Sequence, residues 1–294
     1  MKSGFVSIVG RPNVGKSTLL NAFIGEKVAI VSDKAGTTRN IIQGIYNEEG
    51  LQIVFVDTPG IHKPIDRLGK VLNKEAMALT NDVDLLLFVT DGASGIGKGD
   101  LFILNTLKDS NVPVVLIINK IDELSDDKLI SIIDQNKDIY PFAEVVPISA
   151  LKEKNIKCLI EVVKKYLKEG VQYFPSDMYT SNTLRFMASE IVREKLLSVT
   201  EDEVPHSITC YTVGYEEKKD LVHIMVDIIV DRDSLKKIVI GKNGSRLKQV
   251  GTLARMELEK MVDNKVYLEL FVKTIKNWKE KERYLIDLGF IESE

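Results

Sequence analysis

The sequence predicts an α/β, doubly wound domain with one antiparallel edge strand, followed by a smaller α+β domain. The 294 residues suit two domains of ordinary size. Between residues 5 and 168, apolar strand-like runs alternate with helical runs, which is typical of a mainly parallel sheet covered on both faces. Residues 184–272 instead run helix, strand, strand, helix, strand. We therefore place the first domain at residues 1–169, a linker at 170–182, and the second domain with a C-terminal tail at 183–294.

Composition argues against several classes of protein. Apolar residues make up 44% of the chain and charged residues 28%, which is a globular balance. No apolar stretch reaches the ~20 residues that span a bilayer, and the first strand begins too early to leave room for a signal peptide. Two well-separated cysteines, Cys158 and Cys210, favour a reducing cytosol. The net charge of −3 argues against a generally basic nucleic-acid binder. A nucleic-acid-binding face, however, needs only a local cluster of basic residues.

In the first domain, each element is predicted from its own pattern. Strands are expected near residues 5–9, 41–47, 51–57, 85–90, 113–119 and 144–148, and helices near 17–24, 68–80, 98–109, 125–138 and 156–168. A hairpin-length connection, Glu48-Glu49-Gly50, joins strands 41–47 and 51–57 and gives the antiparallel edge. The loops that follow parallel strands meet at the carboxyl edge of the sheet, where ligands bind.

The first of these loops predicts a triphosphate site. Residues 10–17 read Gly-Arg-Pro-Asn-Val-Gly-Lys-Ser, directly after a strand and directly before a helix. Backbone N–H groups of such a loop point at phosphate oxygens, a lysine reaches the β- and γ-phosphates, and a serine hydroxyl ligates Mg²⁺. A glycine-rich turn with an incidental lysine is the alternative. The predicted nucleotide-binding residues here are Gly10, Arg11, Pro12, Asn13, Val14, Gly15, Lys16, Ser17 and Thr18.

A second motif follows the strand at 51–57. Its aspartate can hold Mg²⁺ through water, and its glycine N–H can approach the γ-phosphate. The predicted residues are Asp57, Thr58, Pro59, Gly60 and Ile61.

A third motif selects the base. A carboxylate after the strand at 113–119 can accept hydrogen bonds from the N1 and N2 donors of guanine, and adenine has no such donor pair. The amide of Asn119 can bond the purine or brace the loops, and Ser149-Ala150 follows the sixth strand, where a backbone N–H can reach the guanine carbonyl. A surface Asn-Lys turn is the alternative. The predicted base-binding residues are Asn119, Lys120, Ile121, Asp122, Ser149 and Ala150.

These motifs, in this order and together with Gly36-Thr37-Thr38-Arg39, resemble those of the translation-factor-related GTPases. The resemblance implies that Thr38 is the switch I threonine that joins Ser17 and Asp57 around Mg²⁺. Spacing does not decide between Thr37 and Thr38. We choose Thr38 because it immediately precedes Arg39, as in the family; a mobile polar loop is the alternative reading of this segment.

Hydrolysis of GTP to GDP and phosphate is expected to be slow in the isolated protein. Many GTPases place a water-orienting glutamine where this chain has Ile61. His62 follows, and a loop histidine is more often a bystander than a base. Asn13 either suits a tight loop or, as in related GTPases that use K⁺, helps to bind that cation. The candidates for a catalytic role are therefore Asn13, Thr38 and Gly60.

The second domain contains a G-x-x-G loop, which can lie flat against a nucleic-acid backbone. Residues 236–248 hold five basic side chains and no acidic one. A helical corner with a solvated charged face is the alternative. Together with the element order, the loop resembles a type II KH domain, which implies a groove for about four single-stranded nucleotides. The predicted RNA-binding residues are Lys236, Lys237, Ile238, Ile240, Gly241, Lys242, Asn243, Gly244, Arg246 and Lys248. Trp278, in the tail, either stacks on a base or, as we prefer, caps a small core.

A GTPase switch followed by a KH domain resembles, over essentially the whole chain, the Era family of bacterial GTPases of small-subunit ribosome assembly. Residues 57–64 and 239–244 are close to the family pattern, whereas several members carry a glutamine before the two threonines of residues 35–39. The resemblance implies binding near the 3′ end of small-subunit rRNA, a role in subunit assembly and rRNA maturation, a monomer, and a cytoplasmic location with a peripheral membrane-associated fraction.

Three rival interpretations remain open at this point. The KH domain could bind protein, against which the basic cluster argues. The nucleotide site could be structural in a passive RNA-binding protein. The protein could be an ATPase, but the guanine-binding motif at residues 119–122 would then have no function.

Overall fold

The computed structural model describes residues 1–108 and 110–291, which form two compact units. The first unit comprises Met1–Val31, Thr38–Ile65 and Gly69–Ser181. The second comprises Ser32–Thr37, Asp66–Leu68 and the chain from Asn182 onward. Residues 170–181 of the predicted linker 170–182 therefore group with the first unit, where Gln52 accepts the N–H groups of Tyr173 and Phe174 at 2.7 and 3.0 Å.

The first unit is built on one sheet. Its strands are β1 (Lys2–Val9), β2 (Ile42–Glu48), β3 (Leu51–Asp57), β4 (Leu85–Asp91), β5 (Val114–Asn119), β6 (Glu144–Pro147) and β7 (Lys168–Glu169). The order is β2-β3-β1-β4-β5-β6, with β2 antiparallel to β3 and the other neighbours on this path parallel. The predicted doubly wound sheet with an antiparallel edge is confirmed.

Helices follow the strands, as βα alternation requires. They are α1 (Lys16–Ile24), α2 (Arg67–Ala78), α3 (Lys98–Thr106), α4 (Asp126–Asn136) and α5 (Ile156–Tyr166). The last of these ends earlier than residue 168, because Ser3 and Lys168 pair across β1 and the two-residue strand β7. The predicted end of the α3 helix at residue 109 lies outside the described residues.

Two interior strands of the sheet, β3 and β5, are buried along their whole length. All seven residues of β3 and all six of β5 are buried, so neither strand shows the alternation of a half-exposed strand. Because β1, β3, β4, β5 and β6 are parallel, the loops after them emerge at the same edge.

The second unit is a three-stranded sheet packed against helices. In chain order its elements are α6 (Leu184–Val199), α7 (Val204–Ser207), β8 (Ile208–Lys218), β9 (Leu221–Val230), α8 (Asp233–Ile240), α9 (Ser245–Val262), β10 (Val266–Thr274) and α10 (Glu282–Asp287). The strand order is β10-β9-β8, with β10 parallel and β8 antiparallel to β9. The predicted sequence of helix, strand, strand, helix, strand is confirmed, and the core contains residues of α6, α9 and all three strands.

The C-terminal tail contains a fully buried tryptophan. Trp278 is fully buried, its ring stacks on Phe290 with 6.0 Å between centroids, and its Nε1–H donates to the carbonyl of Ser207 at 3.2 Å. The preferred reading of Trp278 as a core residue is confirmed.

Candidate nucleotide site and nucleic-acid interface

The phosphate loop lies between the last residue of β1 and the first turn of α1. Lys16 begins the helix, and its buried Nζ donates to the carbonyls of Gly10 and Arg11 at 3.1 and 3.0 Å. Burial lowers the pKa of Lys16, and the nearby Asp57 opposes that shift. The lysine therefore spans the loop on its inner side, where the sequence places the phosphates.

Three oxygen-bearing side chains converge beside this loop. Ser17 Oγ lies 2.8 Å from Thr38 Oγ1 and donates to Asp57 Oδ2 at 2.5 Å. The hydroxyl of Thr37, in contrast, donates to the carbonyl of Lys34 at 2.6 Å. The structure thus brings together Ser17, Thr38 and Asp57, the three residues predicted to surround Mg²⁺, and turns Thr37 elsewhere.

Asp57 has the electrostatics of a cation ligand. Its carboxylate is fully buried, and burial raises its pKa to about 6, against the opposing effects of Lys16 and Ser17. Among the described residues, its second oxygen, Oδ1, has no hydrogen-bond partner. A buried, uncompensated carboxylate oxygen beside two hydroxyls fits Mg²⁺, which prefers oxygen ligands and retains bound waters.

The loop after β3 packs tightly against the phosphate loop. A Cβ added at Gly60 would lie 2.7 Å from the backbone nitrogen of Pro12, so only glycine fits there. The Thr58 hydroxyl is buried and donates to the carbonyl of Ile8 at 2.9 Å. Ile61 is 1% exposed and packs in the core, while His62 lies on the surface with its Nδ1 2.9 Å from the carbonyl of Gly60. These contacts direct neither side chain toward Ser17, Thr38 and Asp57.

Asn119 ties three loops together. Its Nδ2 donates to the carbonyl of Val14 at 2.8 Å, and its Oδ1 accepts the N–H of Ala150 at 2.9 Å. Of the two roles that the sequence left open for Asn119, bracing of the loops is the one seen here. The N–H of Ala150, one of the two backbone N–H groups of the Ser149-Ala150 motif, is therefore used inside the protein.

The remaining base-site residues lie at the mouth of these loops. Asp122 is exposed in a short 3₁₀ turn, Ile121–Glu123, while Ile121 and Ser149 are buried. Lys120 has a left-handed backbone (φ 66°) and its Nζ pairs with Asp91 at 2.7 Å. The exposed carboxylate of Asp122 is therefore available at the edge, with the stem of Lys120 fixed beside it.

Two carboxylates that organise this site were missed by sequence reasoning. Asp91, at the end of β4, holds Lys120. Asp100, fully buried in α3, approaches the Nε of Arg11 at 2.7 Å and accepts the N–H of Gly97 at 2.9 Å. Arg11, predicted among the nucleotide-binding residues, is thereby directed toward α3. Neither aspartate belongs to a motif, and the only available sequence signal was that Asp91 ends a buried strand.

The G-x-x-G loop of the second unit joins α8 to α9 through a short turn, Lys242–Gly244. Both glycines have positive φ, 74° at Gly241 and 75° at Gly244. Lys237, Lys242, Asn243 and Lys248 are exposed, and Lys236 and Arg246 are partly buried. No ion pair is found for the four lysines within residues 1–108 and 110–291.

Apolar side chains lie next to the basic ones at the end of α8. Ile238 is 42% exposed, and Ile240 is partly buried at the end of α8. Arg246 reaches back, and its Nη1 donates to the carbonyl of Ile238 at 2.5 Å. The residues predicted to contact RNA thus lie on one continuous segment that presents glycine backbone, cations and an exposed isoleucine.

Comparisons with known proteins agree with both halves of this description. Residues 5–120 match the family model described as 50S ribosome-binding GTPase, and residues 203–279 match the model of the KH domain. A solved structure of an Era variant from Aquifex aeolicus bound to GDP and AlF4⁻ is 43% identical, with 99% of each chain covered and a TM-score of 0.95. A structure of Era in complex with MgGDPNP and nucleotides 1506–1542 of 16S ribosomal RNA is also 43% identical, with 99% of each chain covered and a TM-score of 0.96. Since these likenesses cover 99% of the chain, and so both its GTPase and its KH portion, at 43% identity, this chain belongs to the Era family of GTPases.

Proposed function

We propose that this protein is a GTP-hydrolysing switch that binds single-stranded RNA near the 3′ end of small-subunit ribosomal RNA. It would act in assembly of the small ribosomal subunit and in rRNA maturation. The observation that carries the proposal is the likeness, at 43% identity over 99% of the chain, to an Era structure holding both MgGDPNP and nucleotides 1506–1542 of 16S ribosomal RNA.

The GTP site consists of the loops at the carboxyl edge of the first sheet. Lys16 and the N–H groups of its loop would bind the phosphates, and Asp122 would accept the two donors of guanine. Asn119 positions the base-binding loop through its hydrogen bonds to Val14 and Ala150. Loss of the guanine donor pair would leave Asp122 unpaired, which is the physical basis of discrimination against ATP.

Ser17, Thr38 and Asp57 would hold Mg²⁺, with Asp57 acting through water. Bound there, the ion would neutralise charge on the β- and γ-phosphate oxygens. The chain's own contribution is to keep Thr38 within hydrogen-bond distance of Ser17, so that the bound ion would hold switch I in this position.

Water positioning is proposed to depend on backbone groups and on a monovalent cation. Ile61 is buried and cannot orient water. Asn13 has a left-handed backbone (φ 64°) within the phosphate loop, a conformation that asparagine tolerates and that suits a tight turn. A K⁺ ion ligated by Asn13 would supply positive charge near the β- and γ-phosphates. Single-turnover rates in KCl and NaCl test this role, since equal rates would remove the cation from the mechanism.

The RNA site consists of the G-x-x-G loop and the end of α8. The exposed lysines would contact phosphates, and Ile238 would contact bases. Among the described residues no helix combines the length and apolar character needed to cross a membrane. We propose a monomer in the cytoplasm, with a fraction held peripherally at the membrane; the family resemblance is the support for this part.

Crosslinking to RNA in cells tests the proposal. Irradiation, purification of the full-length protein and sequencing of the attached RNA should place the crosslinks near the 3′ end of small-subunit rRNA. A matched variant, Lys242→Ala with Lys248→Ala, should lose most of this signal because two phosphate contacts are removed. Crosslinks spread evenly over cellular RNA, or a signal that the variant retains in full, would contradict it.

A further inference from the structure

Arg193 is a fully buried charge that the nucleotide site and the RNA loop do not use. It lies in α6 and is 1% exposed. Its Nε and Nη2 donate to the two oxygens of Glu190, also buried, at 2.8 and 2.6 Å. Desolvation of such a pair costs several kcal/mol per ion, so a buried pair of this kind is weak evidence for stability and calls for another explanation.

The guanidinium also contacts the segment that precedes the switch I threonine. Arg193 Nη2 donates to the carbonyl of Thr37 at 2.5 Å. Thr37 ends the segment Ser32–Thr37, which belongs to the same compact unit as α6. The next residue along the chain is Thr38, whose Oγ1 lies 2.8 Å from Ser17 Oγ. One peptide bond therefore separates the carbonyl that Arg193 binds from the side chain proposed to reach Mg²⁺.

The guanidinium of Arg193 is not fully hydrogen-bonded. Among the described residues its Nη1 has no hydrogen-bond partner. If Thr37 moved away, Nη2 would keep only Glu190, and a buried guanidinium would have a second poorly satisfied nitrogen. An unmade hydrogen bond is costly when the donor is charged and cannot reach water. The position of Thr37 that places Thr38 beside Ser17 is therefore also the position that α6 stabilises.

The same unit contains a second switch-proximal segment, Asp66–Leu68, but its contacts are weaker. Asp66 pairs with Lys279 at 3.2 Å and Arg67 with Glu282 at 2.7 Å. All four side chains are at least 20% exposed, and exposed ion pairs contribute little because water screens them. Burial thus singles out Arg193, and Arg67 with Glu282 offers a matched control.

A packed route leads from α6 to the RNA loop. Lys195 of α6 pairs with Glu257 of α9, and Ala188, Ile191 and Val192 share a core with α9 residues. The first residue of α9, Ser245, directly follows Gly244 of the G-x-x-G loop. RNA bound at this loop would restrain α9 and, through it, the helix that carries Arg193.

We propose that Arg193, oriented by Glu190, is the positioning residue through which the RNA-binding unit senses switch I. With Thr38 beside Ser17 and Asp57, the Thr37 carbonyl accepts a hydrogen bond from Arg193 Nη2 and α6 is held; with switch I displaced, that contact is lost. RNA and GTP then strengthen each other's binding through this contact by the same factor. This inference rests on the proposed function, since it names the regulation of the same two sites.

The test measures the coupling factor in the full-length protein. The affinity for GDPNP is determined without RNA and with saturating RNA of the sequence 1506–1542 of 16S ribosomal RNA, and the ratio is the factor. The variant Glu190→Leu with Arg193→Met removes both charges, a replacement that buried pairs tolerate. We expect its factor to fall to within about two-fold of one, because one hydrogen bond to a charged group is equivalent to a coupling of about ten-fold, while RNA affinity in GDP stays within about two-fold because the RNA loop is unchanged.

Two further variants make the result interpretable. Arg193→Lys keeps the charge but cannot bridge Glu190 and Thr37 with a planar fork, so its coupling factor should also fall. Arg67→Ala should leave the factor within about two-fold of the wild-type value. A wild-type protein that couples GDPNP to RNA, together with Arg193 variants that couple equally well, overturns the inference and leaves the proposed function standing. A wild-type protein without coupling overturns the proposed switch itself.

Discussion

At the scale of single residues, Asp57 shows how a site can be prepared for a cation at the expense of stability. Its carboxylate is fully buried, and burial raises its pKa to about 6 from an ordinary value of 3.8. Functional sites commonly carry such strained or uncompensated groups. The nucleotide-free protein is accordingly expected to be less stable than one with a neutral side chain at this position.

Asp57→Asn should therefore stabilise the nucleotide-free protein. A folded-state pKa above the unfolded one means that the ionised group destabilises the fold at every pH above about 6, and that the penalty disappears as the pH falls toward 3.8. The free energy of unfolding should rise by about 1–3 kcal/mol at pH 7.5, with the difference closing near pH 4. Urea unfolding followed by circular dichroism in EDTA measures it.

The control for this experiment is Asp122→Asn, which changes an exposed carboxylate at the same edge of the sheet. It should leave the free energy of unfolding within about 0.5 kcal/mol of wild type. An Asp57→Asn protein that is less stable than wild type at pH 7.5 would show that Asp57 stabilises the loops rather than straining them.

Residue roles were only partly predictable from the sequence. The motifs that contain Ser17 and Asp57, together with the family resemblance for Thr38, predicted that these three residues would meet, and the structure brings them together. It did not predict that Asn119 would take the N–H of Ala150, or that Asp100 would turn Arg11 toward α3. Those contacts join residues far apart in the chain and leave no periodic pattern, so no local argument could have found them.

At the scale of elements, the G-x-x-G loop gives the sharpest test of RNA binding. Gly244 has φ 75°, and a Cβ added there would meet no atom within 4 Å. A side chain at Gly244 would project into open space at the surface proposed to lie against RNA. Asparagine and aspartate tolerate this backbone similarly well and differ mainly in charge.

Gly244→Asp should accordingly weaken RNA binding by about ten-fold or more through repulsion of phosphate, whereas Gly244→Asn should have a smaller effect. A gel-shift titration at fixed salt with the fragment 1506–1542 of 16S ribosomal RNA gives both affinities, and the melting temperatures of the two variants should agree. Equal affinities for the two variants would place the RNA elsewhere.

The C-terminal tail supports the second unit from within its core. Trp278 is fully buried against Phe290 and hydrogen-bonded to Ser207. From the sequence, burial of Trp278 could only be preferred over base stacking. Composition alone does not distinguish a tryptophan that caps a core from one that stacks on a base.

Trp278→Ala should lower the free energy of unfolding of the second unit by about 3–5 kcal/mol, as a large-to-small core change does. Trp278→Phe, which keeps an aromatic ring and loses the hydrogen bond, should cost about 1 kcal/mol. Thermal unfolding by circular dichroism measures both. Trp278→Phe should bind RNA like the wild type; a loss of RNA affinity without a loss of stability would favour base stacking.

At the scale of the whole molecule, the order of the two units could be predicted from the sequence. Which residues belong to each unit could not. Strand and helix periodicity predicted a doubly wound sheet followed by an α+β unit, and both are present. Periodicity gave no sign that Ser32–Thr37 and Asp66–Leu68, which flank the two switch regions, group with the second unit. Such grouping depends on long-range contacts of individual residues such as Arg193, which only the folded chain reveals.

The proposed link between nucleotide state and RNA binding rests on this grouping of residues. Thr38, with Ser17 and Asp57, belongs to the first unit, while the residue before it belongs to the second. Two ligands that each favour the same position of this junction must favour each other, and the factor is the same in both directions.

The most direct measurement is the affinity of the full-length protein for RNA of the sequence 1506–1542 of 16S ribosomal RNA, in saturating GDPNP and in saturating GDP, each with Mg²⁺. We predict binding at least about five-fold tighter in GDPNP, the lower end of typical allosteric coupling. The affinity for GDPNP relative to GDP should rise by the same factor when RNA is saturating. Equal RNA affinities in the two nucleotides would contradict the account, because the nucleotide site and the RNA loop would then act independently.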